Sequence, residues 1–139
     1  MIFSPAVDLD DCPFLTLRER TSLLSDITLC RLPKHTEPFA VMYRWDPSLV
    51  GTATAAKFDP SMPDTIRIAA IKKIDGNAPA SLIMQVTPAI IHELVHLHQY
   101  KTLGPVLYFI CSLPGLYSLF LDQTAILYET LAERELGII

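Results

Sequence analysis

The sequence predicts an α+β domain: a short sheet packed on a central helix, with a second, acidic helix closing over it. Three observations lead there. Short runs rich in branched and aromatic residues precede residue 71, the spacing expected of strands. Helical apolar spacing dominates from residue 88 onward. A chain of 139 residues has room for one modest core, so 1–139 reads as a single domain.

Taken in order, the lead-in over 1–15 is irregular, with Pro5 and Pro13. The stretch 16–29 reads as an amphipathic helix with Leu17, Leu23, Leu24 and Ile27 on its apolar side, and Pro33 ends that region. A strand is expected over 39–45, then a strand pair over 51–58 and 65–71. The turn-rich run Asp59-Pro60-Ser61-Met62-Pro63-Asp64 joins the pair. On 65–71, Ile66, Ile68 and Ala70 share one face, with Arg67, Ala69 and Ile71 on the other. A loop is expected over 75–79.

Thr87 suits an N-cap and Pro88 the first helical position, so a helix is expected over 88–103, stopped by Gly104 and Pro105. A start near Ser81 with a kink at Pro88 is the competing boundary. The next 20 residues, 102–121, carry no charge, which raises the question of a membrane helix. Gly104, Pro105, Pro114 and Gly115 interrupt them, and a buried helix and loop covering a site is the preferred expectation. A last helix is expected over 122–136, with Gly137 as its stop.

Composition narrows the function classes. Half of the residues are hydrophobic and 19% charged, which excludes a disordered chain. The net charge is −4 and no basic run is present, so nucleic-acid binding is not expected. Cys12, Cys30 and Cys111 match neither a zinc ribbon nor a redox pair; they read as buried apolar residues in a reducing compartment. The N-terminus lacks a basic start followed by an apolar run, so no signal peptide and a cytoplasmic location are expected.

The chemistry concentrates in Ile91-His92-Glu93-Leu94-Val95-His96-Leu97-His98-Gln99, which contains His-Glu-x-x-His. Histidines four apart on a helix lie on one face, and both imidazoles can reach a single zinc ion at about 2.0–2.1 Å. Glu93 then stands beside the metal as general base, taking the proton of the attacking water. Chance would give this pattern in about one such chain in two hundred, so it is informative before its apolar flanks are counted. His98 points away from the ligand face, His35 is not tied to it, and Gln99 lies one turn past His96. Tyr128, Tyr108, Tyr117, Tyr100 and Arg134 are open candidates for oxyanion stabiliser.

Zinc needs a third protein ligand. Downstream, Glu129-Thr130-Leu131-Ala132-Glu133 resembles the Glu-x-x-Ala-Asp element of gluzincin metallopeptidases, the thermolysin-like class. The order of strand pair, His-Glu-x-x-His helix with Gln99-Tyr100, apolar segment and acidic helix is similar to compact minimal gluzincins, many of them short bacterial or phage-associated proteins. The likeness covers roughly 39–136 in organisation and about fifteen residues in motif. It implies a small zincin-like domain holding one zinc per chain on His92, His96 and Glu129, with Glu133 orienting a ligating histidine. Glu133 as ligand is the main alternative, with His35 or Asp122 next. Glu133 stands where Asp is commoner. The implied activity is metallopeptidase cleavage of a peptide or protein substrate, with Glu93 as base and 65–71 as an edge strand for substrate pairing. Two rivals are a noncatalytic zinc-stabilised interaction module and a membrane-associated protein anchored by 103–121.

Overall fold

The computed structural model describes residues 11–69 and 80–138. Its fold is mixed α+β, and α1 (Leu17–Thr28) begins it. Thr16 caps this helix with a capping box: its hydroxyl accepts from Glu19 N, and the Glu19 carboxylate accepts from Thr16 N. Leu23, Leu24 and Ile27 enter the core, while Leu17, expected on the same apolar side, is exposed. Glu19 is buried and also accepts from Trp45 Nε1 at 3.2 Å.

Three strands come next: β1 (Met42–Asp46), β2 (Ala56–Phe58) and β3 (Thr65–Ala69). β1 and β2 are shorter than the sequence suggested, and the last two residues of the strand expected over 65–71 lie outside the described residues. Pro38–Ala40 and Pro47–Leu49 form single 3-10 turns around β1, since proline cannot donate to a ladder. The sheet order is β1-β3-β2, with β1 parallel and β2 antiparallel to β3. The strand expected at the edge is therefore the central one, hydrogen-bonded on both sides. The outer side of β1 is met by the chain at 13–15, through Leu15 N to Tyr43 O and Trp45 N to Pro13 O. Among the described residues, β2 carries the other edge.

Every residue of β3 from Thr65 to Ile68 is buried, so alternation does not sort polar from apolar here. Arg67 is accommodated by an ion pair to Asp46 at 2.7 Å, with Asp59 at 3.5 Å. A buried cation needs such partners.

The long helix α2 (Ala80–Cys111) crosses the sheet and packs against α1 and α3 (Gln123–Glu135). It begins before Thr87, which is fully buried within it, and runs through Pro88. Ile90, Ile91, Leu94, Val95 and Leu97 bury its central turns. At Gly104 the backbone leaves helical geometry (φ 80, ψ 165) and Pro105 opens a second limb that runs to Cys111. The glycine-proline pair does break the helix, yet the chain beyond it is helical again. Turns over 112–116 lead to a π-helical turn, Ser118–Asp122, continuous with α3. Among the described residues no helix is long and apolar enough to cross a membrane. Cys12 is buried and Cys30 and Cys111 partly so, all as free thiols. The loop expected over 75–79 lies outside the described residues.

Candidate metal centre

α2 places His92 and His96 one turn apart on the side facing the π-helical turn. Four atoms converge there. His92 Nε2 lies 3.2 Å from His96 Nε2, and Asp122 Oδ1 lies 3.0 Å from the first and 3.2 Å from the second. Tyr117 Oη lies 3.0 Å from His96 Nε2.

The outer nitrogens are already engaged. Glu129 Oε1 accepts from His92 Nδ1 at 2.6 Å, and Gln99 Oε1 accepts from His96 Nδ1 at 2.9 Å. Gln99 is fixed in that orientation because its amide nitrogen donates to Leu121 O at 2.9 Å. These partners assign the proton of each imidazole to Nδ1 and leave a lone pair on each Nε2. With neutral imidazoles, two Nε2 lone pairs and a carboxylate oxygen face one another, an arrangement that a proton on His92, the Tyr117 hydroxyl at His96 or a cation between the three atoms would relieve. Their separations fit the cation. A tetrahedral zinc with bonds of about 2.0–2.1 Å has ligand-to-ligand edges of about 3.3–3.4 Å, close to the three distances here. Among the described residues, His92, His96 and Asp122 are the three side chains grouped so that they could hold a metal ion.

Glu93 sits beside this group, its Oε2 3.9 Å from His92 Nε2. Its Oε1 accepts from Phe58 N of β2 at 2.8 Å. Burial pushes the Glu93 carboxyl up to about 7, against the lowering effect of the Phe58 amide. Burial opposes charge on His92 as well, but Glu129, Glu93 and Asp122 outweigh it and raise its pKa. His96 is the more enclosed and is lowered, chiefly by burial. Burial also raises the Tyr117 phenol, with Asp122 and Glu93 adding to the effect.

The structure brings together His92, Glu93 and His96 as expected of the motif, but it arranges the acids differently. Glu129, expected on the metal, lies against Nδ1 of His92, the position foreseen for Glu133. Glu133, partly buried one turn further on, is not the carboxylate that meets either histidine. Asp122, ranked behind both, is the one that faces the paired Nε2 atoms. Two signals pointed to it: Asp122 is the first acid after Glu93, and it lies two turns before Glu129 on the same helical path. Of the five oxyanion candidates, Tyr117 is the one that reaches the cluster. Tyr108 and Tyr100 instead form an aromatic group with Phe58. His35 and His98 lie on the opposite side of α2, lining a cavity of about 250 Å³ with Leu94, Leu97 and Lys101. The buried trio of Asp46, Arg67 and Asp59 had no signal in sequence beyond the residue types themselves. Comparison with known protein families, with characterised proteins and with solved structures finds no match for this chain.

Proposed function

We propose that this chain is a zinc-dependent hydrolase of the metallopeptidase type, built on a small zincin-like domain, in which His92, His96 and Asp122 hold one zinc and Glu93 is the general base. The observation that carries the reading is the cluster of His92, His96 and Asp122, three possible ligand atoms at metal-ligand spacing with a buried carboxylate beside them. When bound, zinc supplies a Lewis acid that activates water at neutral pH and polarises a carbonyl.

The remaining steps belong to the chain. Glu93 accepts the proton of the attacking water and passes it to the departing amine. The Phe58 amide holds one Glu93 oxygen, so the other is left to do this. Tyr117, with its hydroxyl at the cluster, donates to the oxygen on which negative charge develops. Glu129 and Gln99 hold the two imidazoles in the tautomer that presents Nε2. The edge of β2 faces the helix that carries Glu93, and an extended peptide laid along that edge would present its backbone to the site by strand addition.

The test separates binding from chemistry. Glu93→Gln should retain zinc at one equivalent per chain and lower the rate on unfolded protein or peptide substrates by about 10²–10⁴-fold. Zinc content is read by metal analysis after dialysis and turnover by product formation. Loss of zinc together with activity would make Glu93 a structural residue, and absence of turnover in the zinc-loaded wild type would leave a noncatalytic metal module.

A further inference from the structure

The stretch that joins the kink at Gly104 to Asp122 is apolar on its outside. Val106, Leu107, Ile110, Leu113, Leu119 and Phe120 are each between 41% and 70% exposed. No Asp, Glu, Lys or Arg occurs between Lys101 and Asp122. The limb after Pro105 is apolar all round: Tyr108 points inward against Phe58 and Tyr100, while Val106, Leu107 and Ile110 point out. A helix hydrophobic on every side is one whose outer face is also covered.

The groups this surface lacks indicate its cover. Protein interfaces carry a polar rim and about one hydrogen bond per 100–200 Å². Here the Ser112 hydroxyl donates to its own helix at Tyr108 O, 2.6 Å away, and the Tyr117 hydroxyl is turned to His96. With no charged side chain, two of its hydroxyls turned inward and Ser118 the one exposed serine, the surface suits hydrocarbon better than a folded partner. No described helix can cross a bilayer, so the stretch would lie in its interface.

We propose that this surface docks on a lipid bilayer, through neutral apolar contact rather than charge, and that the metal centre acts on peptide segments held at that bilayer. The second half rests on the hydrolase reading; the docking does not. The two are linked in the chain, because Tyr117 and Asp122 belong to or directly succeed the docking stretch. A membrane that orders this stretch orders the cluster with it. With a net charge of −4 and no cation within the stretch, binding should not require anionic lipid.

The experiment is vesicle flotation of the full chain, with and without zinc, on phosphatidylcholine and on phosphatidylcholine mixed with phosphatidylglycerol. The wild type should float with both, and added salt should not release it. Leu107→Glu and Phe120→Glu should each lower the bound fraction by roughly tenfold or more at unchanged thermal midpoint. Val106→Ser, a milder change at an exposed position, serves if a charged variant fails to fold, and it should weaken flotation in the same direction. Absence of flotation by the folded wild type would overturn the proposal. So would binding confined to anionic vesicles, or a stable dimer in solution that the same variants dissociate, which would give the surface to a second copy. Flotation needs no turnover, so a failed hydrolase reading leaves this result intact.

Discussion

His92 and His96 each commit the Nδ1 proton to a neighbour, and this decides what the pair can offer on its other side. The same geometry ranks the acids. Asp122 meets both Nε2 atoms, whereas Glu129 acts on one histidine from behind. Asp122→Ala should therefore sharply weaken zinc binding, while Glu129→Gln should cost roughly 10–100-fold in affinity or activity. Chelator competition at fixed pH measures both, the pH being fixed because protons compete for the imidazoles. The reverse order would return the third ligand to Glu129. The two histidines and Glu93 were legible in the sequence because their relation is local, set by the turn of one helix. Asp122 was legible only as a candidate behind Glu129 and Glu133, because its distance to His96 depends on how a kinked limb, a turn and a π-helical turn bring the chain back. Residue types constrain that path without fixing it.

That path hinges on Gly104. Its backbone (φ 80, ψ 165) lies in a region essentially closed to residues with a Cβ, and nothing lies near enough to a Cβ there to clash. The requirement is thus conformational rather than steric. Gly104→Ala should destabilise the fold by about 1–3 kcal/mol, read from denaturant unfolding. It should also weaken zinc binding, since the chain carrying Tyr117 and Asp122 hangs from this joint. Unchanged stability and affinity would show that the limb is not held by its kink. The glycine-proline pair was readable as a break because both residues interrupt helices for reasons intrinsic to themselves. A helix and loop beyond it were expected too, but as buried chain; Tyr108 does turn inward against Phe58 and Tyr100, while Val106, Leu107 and Ile110 are exposed, which composition alone does not decide. Pro88 shows the converse: local preference placed it at a helix start, and the buried packing of Thr87, Ile90 and Ile91 carries the helix through it.

At the scale of the whole molecule, Arg67 of β3 ties the end of β1 at Asp46 to the loop after β2 at Asp59. Burial works against an ionised Asp46, but hydrogen bonds from the Ser48 hydroxyl and amide, together with Arg67, outweigh it and lower its pKa. A carboxylate so lowered stabilises the fold fully above its ordinary value of 3.8, and the contribution is lost as pH falls through the depressed value. The wild type should accordingly lose stability in acid, from about pH 4 downward. Asp46→Asn should be less stable than the wild type at pH 7 and should flatten that part of the profile. Arg67→Met leaves Asp46 and Asp59 facing each other without their cation and should cost about 3–5 kcal/mol at pH 7. Thermal or urea unfolding across pH measures both, and an acid profile unchanged by Asp46→Asn would show that the pair does not govern it. The α+β class and the order of elements were legible in sequence from periodicity together with the proline, glycine and capping residues that bound each element. The sheet's connectivity was not, since periodicity cannot say which strand lies between the other two.

The proposed ligands come from two helices joined by a long apolar excursion, and this gives the ion a mechanical part to play. A cation gripped by His96 on one side and Asp122 on the other closes that excursion into a ring, as a rivet closes a strap. The chain then gains rigidity in proportion to how often the rivet is in place, and its resistance to unfolding becomes a function of the free metal around it. Were the proposed site to lose its ion, the strap would be freed, and the inner side that Tyr108 and Leu121 keep buried would loosen beneath the apolar side that already faces outward.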